Sequence, residues 1–289
     1  MRISLRKKSV HYPIHYNKKK VHFGRLTSGK DILSLFKCIF DRELGNDLLQ
    51  WFAAAPLGPN IWYGAFENNQ PVGLYGLLPI IVKVGRNTYK GALCNNVGVI
   101  PRFYGSGLFQ DLGRVALKDS QCPVVVTVPN PQAVRAHKVI GWQSYGVYEL
   151  LSAEIGERRV DYDCYPQFKY IPFYKTNYFC IVKDENFMKW RYSKPNEKYF
   201  QSFFGDNSYV IWKEYQGKKQ VMEISDFTLI YKLNGRVDIW QFKDSLVSVQ
   251  LKNSGFDPVL AREFLLYTDL KVDGDISDFN FEPADNDVF

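Results

Sequence analysis

Apolar and polar positions in the first half of the chain alternate between helical and strand spacings. Apolar residues recur every three or four positions over residues 31–44, which predicts an amphipathic helix ended by Gly45. Largely apolar stretches at 72–84 and 89–100 predict two long strands, and the run 122–128 predicts a short strand buried on both faces. The alternation predicts a mixed α/β unit of about 155 residues.

In the second half, the ends of the predicted helices and strands are marked less clearly. Residues 161–178 are rich in Tyr, Phe and Pro, which is typical of a linker or an irregular excursion. Residues 131–142 and 244–256 both run from a helical pattern into a glycine followed by an aromatic residue. This parallel predicts a degenerate repeat, with domains spanning residues 1–156 and 157–289.

Composition narrows the class of protein. With 46% apolar and 23% charged residues in 289, the chain has an ordinary globular mix, which excludes wholesale disorder. No apolar run approaches the ~18 residues of a membrane span, and no apolar region follows the first basic residues as in a secretory signal. We therefore expect a cytoplasmic protein without a membrane span.

The formal charge of +7 is unevenly distributed. Residues 1–30 hold nine Lys or Arg and no acid, whereas residues 272–289 hold six acids and no base. A nucleic-acid binder would more often spread its basic residues over a folded face, so we expect no nucleic-acid partner. Residues 1–20 are expected to form a solvated basic extension; contact with phosphates or anionic lipid is the alternative.

Cysteine and histidine usage argues against a metal centre. The five cysteines are odd in number, widely spaced and without a CxxC pair, which favours reduced thiols over disulfides or zinc. Three of the four histidines lie near the N-terminus, and the fourth is His137. We therefore expect no metal.

One segment has the features of a phosphate-binding turn. A strand ends at Pro101, the turn Gly105-Ser106-Gly107 comes next, and a helical pattern begins at Leu108. Glycines and a helix N-terminus together present backbone N–H groups and partial positive charge to an anion. The lysine of a P-loop is absent, and Gln110 breaks the GxGxxG spacing. By itself, this pattern leaves a tight turn without ligand as an alternative.

A second segment lies shortly after the first along the chain. Asn130 is a good N-cap, Pro131 suits the first helical position and Gly141 suits the C-terminus. Alone, this predicts only a well-capped surface helix.

Together, and in this order, the two segments resemble the GNAT superfamily of acyl-CoA N-acyltransferases. The family pattern runs V-x-P-x-[aromatic]-[Arg/Gln]-G-x-G, helix, buried strand, then N-x-x-A-x-x-x-Y-x-x-x-G-F. Its positions are matched over about residues 20–155 by Val99, Pro101, Phe103, Gly105, Gly107, Asn130, Ala133, Gly141 and Trp142. Tyr104 replaces the usual Arg or Gln, and His137 the usual Tyr. A register beginning at Arg102 is shifted by two residues, and we prefer the proline-anchored one.

The resemblance implies a GNAT fold with a splayed, mixed central sheet, followed by a degenerate GNAT-like α/β half. It also implies an acyl-CoA site. The strand at 96–99 would contact the pantetheine arm, the amides of 104–109 the pyrophosphate, and Asn130 with its helix the pantetheine and sulfur. Arg135 and Lys138 would either approach the phosphates or be solvated charges on this helix. The implied binding residues are Val97, Gly98, Val99, Tyr104, Gly105, Ser106, Gly107, Leu108, Phe109, Asn130, Ala133, Arg135 and Lys138.

The implied reaction is attack of an amine on the thioester. Backbone N–H groups near Asn96 and Val97 would stabilise the oxyanion. His137, with a free pKa near ~6.5, is a candidate acid for the departing thiolate, or only a partner of a backbone carbonyl. The base stays open between a water chain and Glu149.

The acceptor rests on a narrower resemblance. Trp51, Phe109 and the extra half are similar to a branch that acylates nucleotide-linked amino sugars for surface polysaccharide synthesis. This implies transfer of an acetyl or short hydroxyacyl group to a dTDP- or UDP-linked amino-deoxy sugar. The second half lacks a glycine turn and would cover the acceptor or form a homo-oligomer interface. An aminoacyl-tRNA-dependent peptidoglycan-precursor transferase and a non-catalytic CoA-binding protein remain alternatives.

Overall fold

A computed structural model describes residues 16–156, 179–204, 208–270, 272 and 279–281. The expected linker at 161–178, most of the basic extension and most of the acidic tail lie outside the described residues, as does Cys164. The four described cysteines are free thiols. Across the described ranges, no helix is long and apolar enough to cross a membrane, and no group of three or more His, Cys, Asp or Glu is placed to hold a metal ion.

The described residues form thirteen strands and six α-helices. The strands are β1 (Val21–Arg25), β2 (Ile61–Glu67), β3 (Gln70–Val84), β4 (Asn87–Val99), β5 (Val124–Thr127), β6 (Gln143–Ile155), β7 (Phe179–Ile181), β8 (Tyr199–Phe203), β9 (Tyr209–Tyr215), β10 (Lys218–Ile224), β11 (Gly235–Phe242), β12 (Asp257–Thr268) and β13 (Phe279–Asn280). The helices are α1 (Gly29–Phe40), α2 (Asn46–Ala53), α3 (Leu108–Ser120), α4 (Pro131–Ile140), α5 (Glu185–Arg191) and α6 (Leu246–Asn253).

The first helix ends earlier than its apolar pattern predicted. Ser28 caps α1 by accepting a hydrogen bond from the amide of Asp31 at 3.2 Å. Asp41 then adopts a left-handed conformation, with φ +52°, and returns its amide to the carbonyl of Lys37. The expectation that Gly45 ends this helix is therefore wrong: Gly45 is the N-cap of α2. An aspartate in the left-handed region took the role expected of the glycine.

All the strands belong to one open, mostly antiparallel sheet. The main path runs β1-β2-β3-β4-β5-β12-β6-β11-β10-β9-β8, and β7 pairs with β3 and β13. Parallel pairing occurs at β4–β5, β10–β11 and β7–β13. The expected mixed α/β fold is confirmed.

The centre of the sheet contains an exchange of strands between the two halves. β12, near the end of the chain, lies between β5 and β6 and is antiparallel to both. β6, the last strand of the first half, pairs with β11 of the second half. Outward from the β12–β6 pair, each side has an antiparallel pairing, then a parallel pairing, then antiparallel pairings. The pairing pattern is therefore the same in both directions, with five strands beyond β12 and four beyond β6.

The two segments predicted to be alike, residues 131–142 and 244–256, occupy equivalent places in this strand order. In each half a capped helix ends at a left-handed glycine, Gly141 (φ +114°) or Gly255 (φ +94°), and leads into the exchanged strand. The domain boundary after residue 156 stays a prediction.

Buried side chains form a layer on each face of the sheet. Along β5, Val124 and Val126 join the cluster beneath α1, α2 and α5, whereas Val125 joins the cluster beneath α3 and α4. All three valines are fully buried, so the predicted two-sided burial of this strand is confirmed. A third cluster lies beneath α6 and the 3-10 helix Phe227–Lys232.

Candidate active site

A cleft begins where β4 and β5 separate. The two strands pair only where Gly91–Leu93 face Val124–Val126. Just beyond, the Thr127 hydroxyl donates to the carbonyl of Cys94 at 3.2 Å. No further β4–β5 pairing occurs among the described residues, so the end of β4 has an edge available to an extended ligand.

A β-bulge interrupts β4 beside this cleft. Opposite β3, the register passes from Gly76–Asn95 to Leu74–Gly98, so Tyr75 faces both Asn96 and Val97. Asn96 adopts a positive φ of 47°. A bulge takes one residue out of the ladder and re-aims its neighbours. This geometry supports the predicted use of backbone groups at this point; the oxyanion role stays a prediction.

The strand after the bulge contributes backbone more than side chain. A Cβ on Gly98 would lie 2.4 Å from Cγ2 of Ile39, so the close approach of this α1 side chain to β4 requires glycine here. Val99 is buried and Val97 half-buried among apolar neighbours.

The predicted turn is built around Ser106. Its buried hydroxyl donates to the carbonyl of Phe103 at 2.7 Å and accepts from the amide of Leu108 at 3.2 Å. Gly105 and Gly107 have φ values of +73° and +89°, which favour glycine. A Cβ on either glycine would meet no atom within 4 Å, so the turn faces open space. Backbone conformation, and not crowding within the chain, explains the glycines.

Half of the predicted pyrophosphate-binding amides are already bonded. The amides of Tyr104, Ser106 and Leu108 donate within the turn at 3.0–3.2 Å. Among the described residues, those of Gly105, Gly107 and Phe109 have no partner. They lie at the N-terminus of the 13-residue α3, where the helix dipole favours an anion. These three amides fit a pyrophosphate.

The side chains flanking the turn distinguish the two possible registers of the family motif. Arg102 pairs with Glu67 at 2.8 Å, and the side chain of Tyr104 is exposed. The proline-anchored register agrees with this arrangement, because the arginine that begins the alternative register is engaged elsewhere.

The α4 helix forms as its sequence predicts. The Asn130 side chain accepts from the amide of Ala133 at 2.9 Å, and Pro131 occupies the first turn. The exposed Arg135 and Lys138 line a cavity between α4 and β12, and Lys138 pairs with Glu263 of β12 at 2.5 Å. Lys138 is thus directed to the exchanged strand, and its predicted contact with phosphates stays a prediction.

His137 is fully buried on the inner face of α4. Its Nδ1 lies 2.8 Å from the carbonyl of Ala133, so Nδ1 carries the hydrogen that is donated there. The rings of Phe109 and Trp142 lie edge-to-face with the imidazole, at centroid distances of 5.3 and 5.2 Å. Burial lowers the pKa of His137 to about 4, so the ring is neutral at pH 7.

The second ring nitrogen of His137 faces a thiol. Nε2 lies 4.0 Å from Sγ of Cys94, and burial raises the pKa of that thiol to about 12. Cys94 is therefore protonated at neutral pH, while Nε2 of the neutral imidazole accepts hydrogen bonds. Donation to a departing thiolate requires prior protonation of the ring. The acid role of His137 stays a prediction.

A chain of three buried amides lies at the bulge. Nδ2 of Asn95 donates to Oδ1 of Asn60 at 2.8 Å, and Nδ2 of Asn96 donates to Oδ1 of Asn95 at 2.9 Å. Nδ2 of Asn60 and Oδ1 of Asn96 have no partner among the described residues. Buried polar atoms without partners are costly, so these two ends are candidate contacts for a substrate or ordered water. The pattern of the sequence offers no signal for Asn60, which precedes β2 in a loop.

Glu149, one candidate base, lies elsewhere. Its carboxylate accepts from Ser248 at 2.6 Å and pairs with Lys252 at 2.5 Å, both on α6. These contacts anchor α6 to β6 and leave the amide chain as the polar group at the bulge.

Comparison with solved structures identifies the fold. No protein-family model and no curated protein matches the chain. A GCN5-related N-acetyltransferase from Anabaena variabilis is 13% identical with a TM-score of 0.61, over 85% of this chain and 72% of that one. A GCN5-related N-acetyltransferase from Kribbella flavida is 12% identical with a TM-score of 0.58, over 86% and 72%. An acetyltransferase candidate from Pyrococcus horikoshii is 13% identical with a TM-score of 0.62, over 94% and 97%. The chain therefore has the GNAT fold, as its two motifs implied.

Proposed function

We propose that this chain is an acyl-CoA-dependent N-acyltransferase. One observation carries the proposal: a glycine turn with three available amides opens α3 directly after a bulged strand that separates from its parallel neighbour. The turn suits the pyrophosphate of CoA, and the free edge of β4 suits its extended pantetheine arm. The Asn130-capped α4 borders the same cleft.

In the proposed reaction the amine nitrogen forms a bond to the thioester carbonyl carbon while the C–S bond breaks. Backbone groups at the Asn96–Val97 bulge stabilise the negative charge that develops on oxygen. The sulfur leaves as a thiolate and takes a proton from solvent or from a transiently protonated His137. A thiol has a pKa of about 8.5, so a thiolate is a weak base and its departure makes a modest demand on an acid.

The chain of three buried amides accounts for the orientation and the protonation state of the acceptor amine. Oδ1 of Asn96 accepts a hydrogen bond from the attacking amine and orients it. An amide takes no proton at neutral pH, so the amine enters in its neutral form and its proton passes to water. The rate at low acceptor concentration then rises with pH until the amine is fully deprotonated.

For the acceptor we propose the amine of a dTDP- or UDP-linked amino-deoxy sugar, with acetyl or a short hydroxyacyl as the transferred group. The likeness of Trp51, Phe109 and the extra half to that branch supports this proposal, including its role in surface polysaccharide synthesis. Cytoplasmic location and a homo-oligomer stay predictions. The intact glycine turn disfavours an aminoacyl-tRNA-dependent transferase, and the open amide chain disfavours a purely scaffolding protein.

Free-thiol release tests both the transferase activity and the choice of acceptor. It is measured from acetyl-CoA and 3-hydroxybutanoyl-CoA, with and without a panel of nucleotide-linked amino sugars. Release that depends on one sugar establishes the enzyme and its acceptor. Release with another amine only would retain the transferase and overturn the sugar. CoA binding without release for any amine would overturn catalysis.

A further inference from the structure

A second cavity lies on the sheet face opposite α3 and α4. Its volume is 470 Å³, within the range of small-molecule sites. It runs from Val128, at the end of β5, across β12, β6 and β11 to β10 and β9. Two of its lining rings, Tyr148 and Trp240, belong to the cluster beneath α1, α2 and α5, which fixes the face. We call this cavity the trough.

The trough has one cation without an anionic partner among the described residues. Two other cations in it are paired: Lys218 with Asp238 at 3.0 Å and Lys213 with Glu197 at 3.2 Å. Arg262, on β12, makes no such pair, and its Nε is buried without a hydrogen-bond partner. Buried donors on a charged group are costly when unsatisfied, so this guanidinium is suited to an incoming anion.

An aromatic face lies beside this arginine. The ring of Trp240 stacks on Tyr148, with centroids 5.2 Å apart and an angle of 16° between the planes. The guanidinium carbon of Arg262 lies 6.0 Å from the Trp240 centroid. Trp240 is only partly buried, so part of its ring is available to a ligand. A ring beside a phosphate-binding arginine suits a molecule that joins a planar base or sugar to a phosphate ester.

The trough also has the right position. Val128 directly follows Thr127, whose hydroxyl marks the last link between β4 and β5. The trough therefore begins at the end of β5, next to the point where β4 and β5 separate. A ligand extended along the trough has one end at this point and the other on strands of the second half.

We infer that the trough binds the phosphate-bearing portion of the acceptor, with Arg262 bonding the phosphate and Trp240 contacting the adjoining ring. This inference rests on the proposed transferase function, and it assigns acceptor recognition to the second half of the chain.

Calorimetric titration with UDP and with dTDP, in the presence of CoA, tests the inference on the full chain. We expect wild-type protein to bind at least one nucleotide, and Arg262→Met to weaken that binding about 10- to 100-fold, as for loss of a charge-assisted hydrogen bond. Arg262→Lys should restore part of the affinity. Arg86→Met, at an exposed turn between β3 and β4, is the matched control and should bind as wild type.

Trp240→Leu separates the ring contact from the phosphate contact. It should weaken nucleotide binding about tenfold while leaving inorganic phosphate binding unchanged. Equal nucleotide affinity in wild type and Arg262→Met, with melting temperatures alike, would overturn the inference. Amine-dependent thiol release with no nucleotide binding would overturn it while sparing the transferase. Arg262-dependent nucleotide binding without thiol release for any amine would retain the site and refute the transferase.

Discussion

The two halves of the chain share a strand order and differ in the element that comes after each bulge. In the first half, the β4 bulge leads to Gly105-Ser106-Gly107 and the 13-residue α3. In the second, β10 has a register shift between Val221 and Glu223, and the next element is a short 3-10 helix, Phe227–Lys232. The described residues of the second half thus keep the bulge and contain no glycine turn that leads into a helix after it.

The polar groups at the two bulges differ in the same sense. Buried Glu223 accepts from Tyr209 at 2.9 Å and Tyr192 at 3.2 Å, and pairs with Lys183 at 3.3 Å. At the first bulge, Asn60 and Asn96 each retain an atom that has no hydrogen-bond partner within the described ranges. One bulge is filled from within the chain, whereas the other has capacity for a ligand. The strand order completes the sheet in both halves, whereas the proposed site requires an open bulge in the first half alone.

The largest expected effect on stability comes from removing Glu223, the buried carboxylate at the second bulge. Glu223→Ala removes a buried carboxylate that pairs with Lys183 and accepts hydrogen bonds from Tyr209 and Tyr192, so we expect the free energy of unfolding to fall by about 3–5 kcal/mol. Urea denaturation measures this. The KM for acyl-CoA in native buffer should not change.

Glu214→Ala, at an exposed position of β9, is the matched control and should stay within about 0.5 kcal/mol of wild type. A rise in the KM for acyl-CoA in Glu223→Ala, with the fold intact, would contradict the assignment of a purely structural role to the second bulge.

The pH dependence of the free energy of unfolding tests the burial of His137. Its folded pKa, about 4, lies below the unfolded value near ~6.5. The unfolded state therefore binds the proton first, and stability falls as pH drops through this window. Between pH 7 and 4, wild type should lose about 3 kcal/mol more than His137→Gln. Denaturation curves at several pH values measure the difference.

His22→Gln, at an exposed position of β1, is the matched control and should stay within about 0.5 kcal/mol of wild type at pH 7. The same His137→Gln variant tests the acid role. Because Nε2 accepts in the neutral ring, we expect kcat to fall less than about tenfold, whereas general acid catalysis contributes at least about 100-fold. A loss above about 100-fold with unchanged CoA affinity would establish His137 as the acid.

The glycine turn can be tested against glycines of the same conformation in the second half. Gly105→Ala combined with Gly107→Ala should raise the KM for acyl-CoA about 30-fold or more, because left-handed alanine is strained and the turn amides lose alignment. Gly217→Ala combined with Gly235→Ala changes two glycines with φ +74° and +76° and equally open surroundings.

Both double variants should lose similar stability. An equal rise in KM in both would show that the effect comes from general destabilisation, and it would remove the turn from the CoA site.

The smallest expected effect concerns the amide chain. Asn96→Ala removes the unpaired Oδ1 and should lower kcat/KM for the amine about tenfold, as for one hydrogen bond. Asn69→Ala replaces another asparagine of positive φ, +63°, at the exposed β2–β3 turn, and shares the backbone strain. Steady-state rates with varied amine compare the two. An unchanged kcat/KM in Asn96→Ala would exclude the proposed contact.

Local patterns predicted the elements of the site well. The turn at Gly105–Gly107, the capped helix after Asn130 and the buried strand β5 all depend on neighbours within a few residues. The end of α1 was missed because Asp41 adopts the conformation expected of a glycine.

Contacts between distant residues were beyond reach of such patterns. Asn60 and Asn95 are joined across 35 positions, and nothing near either residue specifies the other. The place of β12 between β5 and β6 was equally hidden, because periodicity shows which face of a strand is buried and not which strand lies beside it.

The exchange of strands also has a consequence for biosynthesis. Thr127 of β5 pairs with Leu265 of β12, so the first half acquires this neighbouring strand only after synthesis has passed residue 265. Until then the edge of β5 is uncovered, and such edges pair readily with other chains. High contact order of this kind slows folding. The first half is therefore expected to complete its part of the sheet only after β12 of the second half has been synthesised.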